Sequence, residues 1–449
     1  MKPTDLSRRR FAGGLGLALL APMAGAPLAR ATPRDDIRPA TMTLPPPTGP
    51  YPVGTVSLRL VDRARTDPWL AARTARELMV TLWYPARPGP ARRPALQLPP
   101  GVAAVWQRLV ETKEEFSVRP GGADWAATRT HAVTHAPVLR RPGGLPVVLY
   151  SPGRNVPRGF GTVLAEELAG RGHLVVAVDH THEAVAVEFP DGRVATVQDA
   201  TEKATLRALV DVRVADVRFV LDRLEVLNRG DDPGGDRRAQ PLPPGLAGCA
   251  DLSRIGMFGH SIGGATAAQA MHDDPRILAA ADLDGAVGSG PEAVGSVVDD
   301  GLDRPFLLLN SVLGNHRDDV LATLWHNLRG WRRNLQMLSA GHYAYTDLQA
   351  QVPRLVSAGA MPADKRAGLI GAVDPRRSLR AQRAYLAGFF DVHLGGRPDR
   401  GLFDGPSPAH PDVSFVDQGR SGRPSDRSRV PARRHPAGAS KTRRISVVR

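Results

Sequence analysis

The stretch Arg254-Ile-Gly-Met-Phe-Gly-His-Ser-Ile-Gly-Gly-Ala-Thr-Ala-Ala-Gln-Ala-Met271 reads as a short buried strand, a glycine-pinched turn carrying Ser261, and a helix of small residues. In a nucleophile elbow the serine sits at a sharp strand-to-helix turn, so the residues two before and two after it must be small; here they are Gly259 and Gly263. That geometry exposes the Ser261 hydroxyl above the sheet and aims the backbone N–H of Ile262 at a developing oxyanion. The bare G-x-S-x-G pattern is weak in a chain with 46 glycines, and the strand before it and helix after it supply the specificity.

Working outward, the surrounding elements have the pattern of an α/β fold. Leu145-Pro-Val-Val-Leu-Tyr150, His173-Leu-Val-Val-Ala-Val-Asp179, Ile277-Leu-Ala-Ala-Ala-Asp-Leu-Asp284 and Pro305-Phe-Leu-Leu-Leu-Asn310 are continuous apolar runs, as expected for strands buried on both faces. Asn334-Leu-Gln-Met-Leu338 is a last one. Helical periodicity over 161–169, 203–228 and 378–394 alternates with them, and strand, helix, strand at this spacing makes parallel crossover units. Before them, Thr55-Val-Ser-Leu-Arg-Leu-Val61 and Glu77-Leu-Met-Val-Thr-Leu-Trp-Tyr84 alternate like an antiparallel pair flanking the main sheet. The expected fold is a mostly parallel central sheet with helices on both faces, in one catalytic domain over 51–400. Residues 86–144, rich in Pro, Arg and Gly around a helix at 102–112, read as an insertion able to cap a pocket or to pack on the body through Trp106, Phe116 and Trp125.

The net charge of +14 is confined to the ends: residues 1–34 carry a net +5 and residues 418–449 a net +9, leaving the middle balanced. A basic groove for nucleic acid is therefore not expected, whereas a basic tail within 401–449 is suited to an anionic surface. Residues 1–31 read as an export signal of the twin-arginine type, with Ser7-Arg-Arg-Arg-Phe11, a modest Gly/Ala/Leu run and Ala29-Arg-Ala31, followed by a proline-rich extended leader over 32–50. Cys249 is the only cysteine, so no internal disulfide forms, which fits folding in a reducing compartment before export to the outside of the cell.

A serine hydroxyl needs a base, and the base an orienting acid, both downstream of the serine in this architecture and both where strands end. Asp284 closes the strand after the elbow. His342 follows the last strand. Asp282 lies deeper, where an unpaired carboxylate is costly; Asp318, Asp319, His316 and His326 are the remaining rivals. The turn Ser151-Pro-Gly-Arg154 is placed to supply a second oxyanion donor, the backbone N–H of Arg154. His180, His182 and Glu183 make a weak metal signal, and serine hydrolysis needs neither metal nor cofactor.

Several of these segments together, Tyr51-Pro-Val-Gly54, Leu82-Trp-Tyr-Pro85, Leu149-Tyr-Ser-Pro-Gly153, Val178-Asp-His180, Gly259-His-Ser-Ile-Gly-Gly264, Leu283-Asp-Gly285, Gly341-His342 with Thr346-Asp347, and Phe389-Phe-Asp391, carry a family likeness. Over residues 49–395 the chain resembles the secreted, plasma-type platelet-activating factor acetylhydrolases and their bacterial lipase-like relatives, within the α/β-hydrolases. The resemblance implies Ser261 as nucleophile, Asp284 as acid and His342 as base, and favours Asp284 over Asp318. Pro152 stands where members carry His. The implied activity is hydrolysis of short-chain or oxidised-phospholipid esters by a secreted esterase or lipase. A cutinase-like polyester hydrolase and a non-catalytic binding protein of the same fold are the alternatives.

Overall fold

The computed structural model describes residues 39–89, 93–234, 241–289, 292–311 and 319–416. The export signal, most of the basic tail, Asp318 and His316 lie outside them.

Twelve strands form one sheet among the described residues. In chain order they are β1 (Ala40–Thr43), β2 (Val53–Thr66), β3 (Ala75–Pro85), β4 (Pro94–Leu96), β5 (Ala123–Thr134), β6 (Leu145–Ser151), β7 (Leu174–Asp179), β8 (Ala250–His260), β9 (Ile277–Leu283), β10 (Phe306–Ser311), β11 (Arg332–Met337) and β12 (Val413–Phe415). They lie in the order β1-β5-β2-β3-β7-β6-β8-β9-β10-β11-β12, with β4 on β5. From β7 to β11 every neighbour is parallel; β2, β3 and β7 are successively antiparallel, and β12 is antiparallel to β11. This is the mostly parallel α/β sheet expected from the apolar runs. Every residue of β6, β7 and β10 is buried, because helices cover both faces.

The helices used below are α1 (Pro100–Thr112), α2 (Thr162–Gly170), α3 (Leu206–Arg229), α4 (Ile262–Asp273), α5 (Leu348–Ser357) and α6 (Pro375–His393). Strand side chains alternate between two cores. Val147 and Leu149 face one built with Val210, Val214 and Leu221 of α3 and Ala265 and Met271 of α4. Val148 and Tyr150 face the other, built with Leu164 and Leu168 of α2 and Leu386, Phe389 and Phe390 of α6. Helix α3 starts where the Thr205 hydroxyl accepts the Ala208 N–H at 3.2 Å, and it stops at Gly230, whose φ of 96° only glycine adopts at no steric cost.

Four strands of the sheet depart from the sequence expectation: β1 lies in the supposed leader, β4 and β5 in the supposed insertion and β12 in the supposed irregular tail. Residues 86–144 are thus part of the sheet rather than an appendage to it, since β5 sits between β1 and β2. Their aromatics do not line an open cavity: Trp106, Phe116 and Trp125 are 2%, 3% and 1% exposed. They pack with Phe160, Leu348 and Val352 in a third core that ties α1 to α5. Ring centroids of Trp106 and Phe160 are 4.5 Å apart. Removing the Trp106 side chain leaves a large cavity, so Trp106→Ala is expected to cost about 3–5 kcal/mol, read as a fall in the urea midpoint. A loss below about 1 kcal/mol would show that α1 is not part of the cooperative fold.

Candidate active site

Strand β8 delivers Ser261 to the top of the sheet, and α4 begins at the next residue. Ser261 has φ 56° and ψ −129°, a conformation that non-glycine residues adopt at a cost of about 1–3 kcal/mol and that clusters at functional sites. Its N–H donates to Leu283 O at 3.0 Å, tying the turn to β9. The flanking glycines are required by packing. A Cβ on Gly259 would lie 2.0 Å from Gly263 O, and one on Gly263 2.0 Å from Ser151 O. Ile262 contributes the first N–H of α4, which has no partner within the helix.

Asp284 and His342 converge beside this turn. β8 and β9 pair with His260 opposite Leu283, so Asp284 follows its strand level with Ser261. Asp284 also has a positive φ, 56°, and its N–H donates to Leu309 O at 3.0 Å. Its carboxylate accepts the Ser311 N–H at 2.7 Å, the Ser311 hydroxyl at 3.0 Å and His342 Nδ1 at 2.6 Å. Burial works to raise its pKa, but the hydrogen bond and charge of His342 together with the Ser311 N–H outweigh it and hold the carboxyl below its usual value. An ionised acceptor at Nδ1 places the imidazole proton there and leaves Nε2 as the basic nitrogen. Neither His342 Nε2 nor the Ser261 hydroxyl makes a hydrogen bond among the described residues.

His342 opens a single helical turn, His342–Tyr345, held from two sides. His260 Nε2 donates to the His342 carbonyl at 2.9 Å, and the two rings stand 4.6 Å apart. Burial, then the neighbouring His342, push the His260 pKa down to about 3, so its ring is neutral. On the other side Asp347 accepts the N–H groups of Thr162 and Val163 at 3.1 and 3.0 Å and Gln97 Nε2 at 2.8 Å, capping α2. Burial pushes its pKa up to about 7 against those bonds. Neither supporting role could be read from the sequence, although both residues lie in the quoted segments.

Asp282 is fully buried beneath the site. One oxygen accepts the Gly285 N–H at 2.7 Å and the other has no partner among the described residues. Burial raises its pKa to about 8, partly opposed by that N–H and reinforced by Asp284, so it is a neutral acid near pH 7. An acid whose folded pKa lies above its unfolded value binds its proton more tightly when folded. Its contribution to stability is therefore present below about pH 4 and lost as pH rises from about 4 to about 8. Asp282→Asn removes this term. The difference in Tm between variant and parent should move in the variant's favour from pH 5 to pH 8 and level off above; a constant difference would contradict the buried neutral acid.

The loop Ser151–Arg154 packs on the Ser261 turn, where a Cβ on Gly153 would lie 3.3 Å from Ser261 Cβ. The Arg154 guanidinium turns away to Thr201 O at 2.7 Å. His180 and Glu183 point into a buried polar network, whereas His182 Nδ1 pairs with Thr196 O. Asp319 begins the helix Asp319–Asn327 and His326 lies in its last turn.

The family model for platelet-activating factor acetylhydrolase, isoform II, matches residues 38–399. A protein of Arthroderma benhamiae described as "Probable 1-alkyl-2-acetylglycerophosphocholine esterase" is 28% identical over 410 residues, 84% of this chain and 95% of its own length. Platelet-activating factor acetylhydrolase of Cavia porcellus is 23% identical over 288 residues, 60% of each chain. Among solved structures, a ferulic acid esterase from Streptomyces cinnamoneus superposes with a TM-score of 0.66 at 38% identity, covering 84% of this chain and 99% of that one. The sheet order, the helices on both faces and these matches agree: the chain belongs to the platelet-activating factor acetylhydrolase, isoform II family, has the α/β-hydrolase fold, and is an enzyme of the carboxylic ester hydrolase class.

Proposed function

We propose that the protein is a serine esterase in which Ser261 is the nucleophile, His342 the general base and acid, and Asp284 the orienting acid. The observation that carries this reading is the His342 Nδ1 to Asp284 Oδ2 contact at 2.6 Å beside a serine with φ 56°. The Ser261 hydroxyl gives its proton to His342 Nε2 as its oxygen bonds to the ester carbonyl carbon. Charge accumulates on the carbonyl oxygen, where the N–H groups of Ile262 and Arg154 stabilise it. Collapse breaks the bond to the leaving alkoxide, which takes the proton from His342 and departs as an alcohol. Water then repeats the sequence on the acyl-serine and releases the acid.

For the substrate, a short acyl group on a glycerophospholipid or a similarly small ester is the reading closest to the two relatives whose names specify such esters. A second reading, an aromatic hydroxycinnamoyl ester, is favoured by the 38% identity to the ferulic acid esterase. Steady-state kinetics on p-nitrophenyl acetate, butyrate and octanoate, a 1-alkyl-2-acetylglycerophosphocholine and methyl ferulate separate them. The first reading expects kcat/KM to fall from acetate to octanoate, with the glycerophospholipid preferred over the ferulate. Preference for the ferulate would replace it.

Export by the twin-arginine route belongs to the same proposal, and so does contact of the basic tail with anionic surfaces. Replacing Arg8 and Arg9 by Lys should retain esterase activity inside the cell, and an unchanged extracellular yield would refute the route.

A further inference from the structure

We propose that Arg213, buried in the middle of α3, is a positioning residue that sets the loop Ser151–Arg154 so that its N–H groups face the reacting carbonyl; this rests on the esterase reading above. Arg213 is 1% exposed, yet its guanidinium reaches three consecutive residues of the loop. Nη1 donates to the Ser151 hydroxyl oxygen at 3.1 Å and to Pro152 O at 2.6 Å, and Nη2 donates to Gly153 O at 3.4 Å. The fork is fixed in turn by Glu183, whose two carboxylate oxygens each accept Nε at 2.9 Å, with Nη2 on one of them at 2.5 Å.

In a trans peptide the C=O and the following N–H point in opposite directions. Holding Pro152 O and Gly153 O on Arg213 therefore turns the N–H groups of Gly153 and Arg154 the other way. The loop abuts the Ser261 turn on more than one edge: a Cβ on Gly153 would meet Ser261 Cβ at 3.3 Å and His260 Nδ1 at 2.9 Å, and one on Gly263 would meet Pro152 O at 2.8 Å.

Beneath the fork, Ser151 Oγ lies 2.9 Å from His180 Nε2, and His180 Nδ1 lies 3.0 Å from Asp216 Oδ2. Asp216 is also gripped by Arg76 at 2.7 Å and Arg65 at 2.9 Å, which keep it ionised. An ionised Asp216 accepts a hydrogen bond from the His180 Nδ1–H, so the Ser151 hydroxyl donates to Nε2 and its lone pairs are left for Arg213. The trio has the same residue types as the proposed catalytic one, in the chain order Ser, His, Asp rather than Ser, Asp, His, but Ser151 is fully buried and its oxygen is already occupied, so it is no nucleophile. The donors and acceptors here have one consistent assignment, with Arg213 bonded to all three loop residues.

The test separates positioning from folding. Replacing a buried ion pair by apolar residues of similar volume is often neutral or stabilising, so the double variant Arg213→Met with Glu183→Leu is expected to fold. It should lose kcat on p-nitrophenyl acetate by about 10- to 100-fold, with KM within about threefold. Affinity for a trifluoromethyl ketone, which forms an oxyanion on the serine, should fall in parallel. If that variant does not fold, Ser151→Ala, which deletes one hydroxyl, should show the same split at about 3- to 10-fold. A folded variant with kcat within about threefold of the parent, or one whose kcat falls while ketone affinity does not, overturns the proposal. Ser261→Ala is assayed alongside. If it stays active, the reading of Ser261 as nucleophile itself fails; if it is inactive while the folded double variant is fully active, only the role of Arg213 fails.

Discussion

Ser261→Ala is expected to lower kcat/KM on p-nitrophenyl acetate by about 10⁵- to 10⁶-fold while leaving Tm within about two degrees of the parent or above it. The size follows from the chemistry. Without the hydroxyl no acyl-enzyme forms, and what remains is the general catalysis of the oxyanion donors acting with water. The stability expectation follows from the backbone. Ser261 holds φ 56° through its N–H bond to Leu283 O and the close-packed Gly259 and Gly263, and its side chain makes no hydrogen bond among the described residues. Alanine takes the same backbone with nothing lost. Residual activity above about one per cent would mean that another group attacks the ester.

Asp284→Asn is expected to reduce kcat by about 10⁴-fold with little change in KM. Asp284 accepts three hydrogen bonds, from His342 Nδ1, the Ser311 N–H and the Ser311 hydroxyl. An amide in its place can satisfy the Ser311 N–H through its oxygen, but it then presents an NH₂ to the imidazole and to the Ser311 hydroxyl, which can turn to accept it. His342 must answer with an unprotonated Nδ1, so the proton moves to Nε2, where it faces the serine and cannot accept a second one. The loss should shrink as pH rises far enough for hydroxide to compete. A uniform loss at all pH values, accompanied by a large fall in Tm, would mean that Asp284 is structural.

How much could be read beforehand depends on how far each signal reaches along the chain. The strands from β6 to β10 were legible because burial on both faces forces unbroken apolar runs, and β6, β7 and β10 contain no exposed residue. β1 and β12 were not, since strands of four and three residues at the sheet edges carry too little pattern. β5 was missed because its alternation breaks at Ala127, where two exposed residues adjoin. At the candidate site, Asp284 and His342 could be nominated because each follows a recognisable strand and chain order restricts the choice, and the family resemblance favoured Asp284 over Asp318. The supporting groups were hidden for a different reason. Arg213 and Asp216 share the buried face of α3 with Val210, Val214 and Val217, so periodicity marks that face as apolar. Their partners Glu183, Pro152, His180 and Arg76 come from other loops and strands, and nothing local to α3 announces them. Asp347 was hidden likewise, because it caps a helix 185 residues earlier in the chain.

The most direct test of the central claim is to incubate the protein with a fluorophosphonate and locate the adduct by peptide mass spectrometry. The account predicts one phosphonyl group per chain, on Ser261, formed in step with loss of esterase activity and slowed by at least about a hundredfold in His342→Ala. Full esterase activity with no adduct on Ser261, or labelling at the parent's rate when His342 is absent, would contradict it.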